Sequence, residues 1–310
     1  MKIIQKCPIC DCSRYYHLEG YDSKRGPEIY RYLGLDGLKS RWSVCKNCAF
    51  LFQNPRPLPQ AILALYESGL YRQNREYSDD FFKNRYTLPL LHLSWSQKKT
   101  KYLPKYKVLD VGAGYGGAVR AFRDKGLDAF GVELDPNLCE EARKRFEVEV
   151  VNTDVMDCPF EEESFGMIYS AHVHEHFDDF NAINRKLVSM LVPGGIMLIV
   201  LPTYRFSAKN GQGFINVFHN SIFTKTSLKN MFLKCGLKPL AFHYPIRSFS
   251  AEIWGLAVKE SSRNVSAPTE FYRDNWRFVV SEIRYSPLVF QFLTIVKEKI
   301  RPAVEHFRSC

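Results

Sequence analysis

The stretch "KYKVLDVGAGYGGAVRAFRDKGLDAFGVELDP", residues 105–136, allows very few folds. A short apolar run, Val108 to Val111, ends in glycines at 112, 114, 116 and 117; a helical pattern follows, and then a second apolar run that ends at Glu133. Apolar runs of strand length separated by one helix and a glycine-rich turn predict a βαβ unit, whose ligand lies beyond the carboxyl ends of the strands. Glycines at the turn remove Cβ atoms, so a ligand can lie against the backbone. A carboxylate at the end of the second strand, Glu133, is placed to accept hydrogen bonds from two ribose hydroxyls.

Gly112, Gly114 and Gly117 also satisfy the dinucleotide fingerprint, so NAD competes for this turn. Asp110 argues against it. A carboxylate there repels a pyrophosphate but attracts the ammonium and sulfonium of S-adenosylmethionine (SAM). With these elements the chain resembles the class I SAM-dependent methyltransferases. "VLDVGAGYGG" is similar to their first motif, "GVELDP" to the second-strand acid, "NTDVMDCPFEEESFGMIYS" to the adenine-side loop and fourth strand, and "LVPGGIMLIVLP" to the turn and fifth strand. The resemblance runs from about Lys105 to Lys259. It implies an α/β fold: a Rossmann-like sheet of seven strands with helices on both faces, ending in a reversed strand at "EIWGLAVK". It further implies that Asp110, Gly112 and Gly114 hold the methionine moiety, Glu133 the ribose and Asp154 the adenine amino group. Gly166 departs from the family, which usually carries aspartate there; the departure weakens a local turn.

Two C-x-x-C pairs organise the N-terminal residues: Cys7 and Cys10 in "CPIC", Cys45 and Cys48 in "CKNC", with 34 residues between them. Four thiolates so spaced point to a closed, structural zinc site, with no open position for chemistry. Cys12 is a nearby competitor placed past the first turn. The spacer is expected to form strands at "RYYHL", "IYRYL" and "RWSVC", which are rich in strand formers. The combination of four-cysteine module, "NPRP" and methyltransferase core resembles a bacterial-type branch of glycan and secondary-metabolite pathways. In that comparison "HNSIFTKTSLKNMFLKCGL" is similar to an acceptor-side insertion and its following helix.

The segment "AHVHEHFDDF", residues 171–180, leaves three readings open: a metal site, a catalytic base, or the polar start of a helix. A helix beginning near His172 would put His172, Glu175 and His176 on one face and turn His174 elsewhere. That pattern is similar to the Glu-x-x-Glu-His metal motif of the ubiquinone-pathway O-methyltransferases and of the small-RNA 2′-O-methyltransferases; the latter add a later histidine, where this chain has His219. His172 replaces the first glutamate, so a second divalent ion at His172, Glu175, His176 and His219 would be softer than magnesium, such as zinc, iron or manganese. Without a metal, His176 or His172 is the expected general base.

The boundaries follow from these motifs: a zinc-binding module at 1–60, a helical connector at 61–104 that opens with "QAILALYESGLYR", the methyltransferase domain at 105–260 and a helical extension at 261–310. The chain has 310 residues and a net charge of +10, which is concentrated before residue 106, whereas the middle is slightly acidic. A basic flank favours an anionic partner. The N-terminus lacks an apolar leader and no run approaches the roughly 20 residues of a membrane span, so the expected location is cytoplasmic. "PLVFQFLTIVKEKIRPAVEHF" near the C-terminus could instead lie on a membrane face or pack against protein. The function expected is O-methylation of a saccharide, as a nucleotide sugar or lipid-linked glycan. The alternatives are RNA methylation, with the zinc module and basic flank as the RNA-binding part, and an inactive scaffold, against which Asp110, Gly112, Gly114 and Glu133 speak.

Overall fold

The computed structural model describes residues 1–21, 31–33, 40–67, 77–100, 107–203, 218–245, 252–260, 271–281 and 283. The βαβ expectation is met at its centre. Strand β4 (Lys107–Val111) is buried from Val108 onward and pairs in parallel with β5 (Ala129–Glu133) and β7 (Phe165–Ala171). Parallel strands covered on both faces need continuous apolar runs, which these segments have.

The first three N-terminal strands are β1 (Tyr15–Tyr21), β2 (Ser40–Cys45) and β3 (Leu51–Gln53), followed by helices α1 (Pro59–Glu67) and α2 (Asp79–Lys99). Beyond β4, the helix α3 (Gly117–Arg123) leads to β5, then come α4 (Pro136–Phe146), β6 (Val151–Asn152), β7, α5 (Phe180–Met190) and β8 (Leu191–Pro202). The last elements are β9 (Ser221–Ile222), α6 (Lys225–Lys234), β10 (Leu237–His243) and β11 (Glu252–Lys259). The caps explain several helix starts. Asp135 accepts from the amides of Asn137 and Leu138 ahead of α4, and Thr224 forms a capping box with Ser227 ahead of α6.

The large sheet has seven strands in the order β10-β11-β8-β7-β4-β5-β6, with β11 antiparallel to both neighbours. This is the Rossmann-like methyltransferase sheet, with "EIWGLAVK" as its reversed strand. Helix α2 lies against α3 so closely that a Cβ on Gly117 would meet the Arg85 carbonyl oxygen at 2.7 Å.

The second sheet, β1-β2-β3-β9, takes its fourth strand from beyond β8, with Leu51 opposite Ile222 and Phe52 opposite Ser221. Residue 60 is therefore no break in packing: Cys7, Cys45, Cys48, Phe50 and Phe52 share one apolar core with Leu109, Val111 and Phe223. Two local expectations are corrected. Arg31 and Tyr32 of "IYRYL" are helical and Leu33 is in a turn, so the described part of that segment is not a strand. Helix α1 begins at Pro59, one residue before the expected start, and is described to Glu67; residues 68–72 of that expectation lie outside the described residues.

At the other end, Trp276 to Ser281 is helical. Trp276 stacks on Tyr16 at 5.5 Å, and Val279, Val280 and Ile283 join Leu18, Trp42 and Val44 in a core. The start of the C-terminal extension thus packs on the cysteine module. The apolar segment expected to pack or to lie on a membrane falls outside the described residues, and none of the described helices is long and apolar enough to cross a membrane.

Candidate active site

The glycine turn follows β4 with φ of +66° at Gly112 and +53° at Gly114, a backbone region that side chains with a Cβ rarely adopt. The two positions differ in surroundings. A Cβ on Gly112 would meet Val173 Cγ2 at 2.5 Å, whereas the nearest atom to one on Gly114 is Leu138 Cδ1 at 3.9 Å. Gly112 makes room for protein, and Gly114 keeps a surface open. Glu133 reaches back to this turn: Gly114 N–H donates to Oε2 at 2.9 Å, and Asp135 N–H to Oε1 at 3.0 Å. A carboxylate holding two backbone donors is fixed in place and retains lone pairs for further donors.

Asp110 is buried at the end of β4. Burial first, and then the Glu133 charge, push its carboxyl well above the usual carboxylate range, while Arg85 of α2 pulls the other way. Two acids so placed favour a cationic ligand, which would relieve both effects. Asp154 lies exposed just past β6, where its Oδ1 accepts from the Met156 amide at 2.8 Å. Tyr115 of the turn packs edge-on against Tyr77, Phe81 and Phe82, so the start of α2 covers this end. Asp110, Gly112, Gly114 and Glu133 therefore come together, and Asp154 stands beyond the neighbouring strand.

The segment after β7, where the acceptor is expected, is brought against the turn by Val173 on Gly112. The expected helix at His172 is not formed. His172 has φ +59°, a single 3-10 turn spans His174–His176, and α5 begins only at Phe180, where the Asp179 side chain caps it. The expected four-ligand set is corrected accordingly. Glu175, His176 and His219 offer ligand atoms within 4.8 Å of one another, while His172 gives its Nε2 to Glu252 Oε1 at 3.0 Å and keeps its Nδ1 3.8 Å from Glu175 Oε1. Burial lowers the His172 pKa, but the Glu252 hydrogen bond and the Glu175 charge outweigh it, so the net direction is up.

His176 Nδ1 lies 3.0 Å from the Phe218 carbonyl. A carbonyl only accepts, so Nδ1 carries a proton, and Nε2 lies 3.8 Å from Glu175 Oε1. Glu175 is 1% exposed, and its Oε2 has no hydrogen-bond partner among the described residues. Such an atom calls for a ligand. His174 is buried between Ser170 Oγ at 2.8 Å and Asn184 Oδ1 at 2.9 Å, and burial lowers its pKa to about 4. It is a neutral structural group.

Sequence reasoning missed Glu252 and Asn220. Glu252 is buried, receives Trp254 Nε1 at 3.1 Å and opens an otherwise apolar strand; that polar residue was its signal. Asn220 follows His219 directly and gave no signal of its own.

The four cysteines converge behind this side. Cys7 and Cys48 sulfurs are 3.7 Å apart, Cys10 and Cys45 sulfurs 3.5 Å, and all four lie within 4.8 Å of one another. Sulfurs at about 2.3 Å from one tetrahedral ion would have edges of about 3.8 Å, so this donor set fits. Each C-x-x-C turn ends in a residue of positive φ, Asp11 at +55° and Ala49 at +53°, whose amide returns to the carbonyl of the first cysteine. Asn47 N–H also points to Cys45 Sγ at 3.4 Å. The Cys12 sulfur instead contacts Arg14.

Residues 109–199 match the family described as "Methyltransferase domain". The stretch from β4 into β8 is thus similar to a methyltransferase domain. Among curated relatives, the chloroplastic tocopherol O-methyltransferase of Arabidopsis thaliana is 32% identical over 111 residues, covering 32% of this chain and 31% of that protein. Phosphoethanolamine N-methyltransferase 2 of Caenorhabditis elegans is 29% identical over 107 residues, covering 32% of this chain and 24% of that protein. The chain therefore spans under a third of the length of these two relatives. Among solved structures, a SAM-dependent methyltransferase from Thermotoga maritima is 18% identical, with a TM-score of 0.47, and the match covers 64% of this chain and 99% of the other.

Proposed function

We propose that this protein transfers the methyl group of SAM to a hydroxyl of a small, polyhydroxylated acceptor, a saccharide carried as a nucleotide sugar or a lipid-linked glycan. One observation carries the reading: the open, left-handed Gly114 lies between the buried Asp110 and the tethered Glu133, a bare surface with two acids for a cationic nucleoside. SAM supplies an electrophilic methyl carbon on sulfur. Asp110 would face its ammonium end, and Glu133 and Asp154 its ribose and adenine.

The acceptor side supports oxygen as the nucleophile. An alcohol needs its proton removed as the O–C bond forms, and His172 or His176 would take it. Glu252 holds His172, and the Phe218 carbonyl holds His176 through Nδ1. The unpartnered Glu175 Oε2 favours a second reading of the same residues, in which Glu175, His176 and His219 hold a divalent ion that would polarise the hydroxyl. In either case His176 is required for turnover. Cys7, Cys10, Cys45 and Cys48 are read as a structural zinc site.

Calorimetry with SAM on the full chain tests the cofactor reading; NAD binding without SAM binding overturns it. Transfer of labelled methyl from SAM to a panel of nucleotide sugars, lipid-linked sugars and bulk RNA tests the acceptor, and label in RNA alone replaces the saccharide with the RNA reading. His176→Ala, and wild type with a chelator shown by metal analysis to leave the cysteine-bound metal in place, are assayed with the labelled acceptor to separate base from metal. Loss in the mutant alone favours the base, loss in both favours the metal, and activity near wild type removes both.

A further inference from the structure

The acceptor-side histidines stand on a loop that the cysteine module holds. Strand β3 leaves the Cys45–Cys48 turn directly, with Cys45 N–H donating to the Phe50 carbonyl at 2.9 Å, and it pairs with β9 just past His219. Between them sits Asn220, 4% exposed, which bonds in three directions. Its carbonyl accepts from Gln53 N–H of β3 at 3.0 Å, its N–H donates to the Glu175 carbonyl at 2.7 Å, and its Nδ2 donates to the His176 carbonyl at 2.7 Å. One residue therefore joins the module to both the Glu175–His176 turn and the His219 loop.

Packing follows the same seam. Phe50, two residues past Cys48, meets Phe223 at 5.0 Å and Phe180 at 5.7 Å between ring centroids, and these residues follow β9 and open α5. The buried Arg56 pairs with Asp178 at 2.6 Å, and Asn181 Nδ2 donates to the Pro8 carbonyl at 2.8 Å. The cofactor side is anchored differently, by the parallel strands β4 and β5 and by α2 against Gly117.

We propose that Asn220 is the positioning residue of the acceptor side, and that through it the metal-bound cysteine module sets where Glu175, His176 and His219 stand while leaving the cofactor side unchanged. A module joined only by a linker would have no such effect. Asn220 acts by aligning three backbone segments whose own side chains carry the chemistry. This inference rests on the acceptor-side reading above, but its test needs neither an acceptor nor turnover.

Hydrogen exchange of the full chain, read by mass spectrometry, is compared for wild type, wild type with a zinc chelator, and Asn220→Ala; SAM affinity is measured on each by calorimetry. Asn220→Ala is expected to raise exchange at 174–177 and 218–222 by about tenfold or more, with 107–117 protected as in wild type. Chelation is expected to raise the same two segments together, and SAM affinity should stay within about threefold in every case. The imidazole NMR signals of His176 and His219 should shift in Asn220→Ala, and Asn220→Gln should not keep the wild-type signals, because at this buried position the extra methylene moves the amide off the place from which Asn220 Nδ2 meets the His176 carbonyl. Unchanged exchange at 174–177 in Asn220→Ala overturns the proposal, as does a chelator effect that also exposes 107–117. If wild type fails to bind SAM, the functional reading fails while the exchange result still decides this one.

Discussion

The two sides of the candidate active site are built on opposite principles. The cofactor side comes from residues 110–133, one βαβ unit whose glycine turn, buried acid and second-strand acid are joined by short chain segments. The acceptor side gathers His172 to His176, His219 and Asn220, Glu252 and the cysteine module from four distant places. Where the chain itself supplies proximity, a motif can be read along it. Where proximity comes from packing, only the residue types are visible beforehand.

The difference is most exposed to removal of the four converging thiols. Cys7→Ser/Cys45→Ser is expected to lose one bound zinc per chain and to unfold the N-terminal sheet, because binding free energy of about 10 kcal/mol or more supports sites of this kind. Metal analysis and circular dichroism check it; retained zinc in the variant would remove the site, and with it the contrast between the two sides.

Acid should weaken the acceptor side through His174. Its folded pKa of about 4 lies below the ordinary histidine value of 6.5, so the unfolded chain binds the proton more tightly. Stability is therefore complete above about pH 6.5 and is lost as pH falls toward 4, by up to about 3 kcal/mol from this one group. Urea unfolding at pH 7 and pH 4.5 measures the loss, and His174→Gln should flatten it. A slope equal to wild type would mean that His174 is not the buried neutral group described above.

On the cofactor side, Glu133→Ala removes a charged acceptor from the ribose position and should weaken SAM binding by roughly 1.5 to 3 kcal/mol. Because Glu133 also holds the Gly114 and Asp135 amides, the variant should lose some order in the turn as well. The smallest effect belongs to Asp154→Ala, an exposed acid whose loss should cost about 0.5 to 1.5 kcal/mol of SAM affinity. Calorimetry ranks the two, and a larger loss at Asp154 than at Glu133 would move the centre of cofactor binding toward the adenine end.

The sequence by itself determined the βαβ core and its glycine turn. Apolar runs of strand length, glycines where φ must be positive and acids at strand ends are properties of short windows, so β4, Gly112, Gly114 and Glu133 could be placed from the chain alone, whereas the full sheet with its reversed strand at "EIWGLAVK" was implied by the resemblance. The paired cysteines were legible for the same reason, since each C-x-x-C turn is local. The tertiary structure decided the rest. Helical spacing suggested that His172 would join Glu175 and His176, but the chain leaves β7 in a left-handed residue and a 3-10 turn, and Glu252 from the last strand takes His172 Nε2, leaving its Nδ1 3.8 Å from Glu175. The cysteine module shares a sheet with the rest of the chain, because β9 offered the open edge of β3 a partner and Asn220 filled the corner. A strand edge pairs with whatever backbone packing brings beside it, and that choice is made by contacts more than a hundred residues apart, which no window of sequence contains.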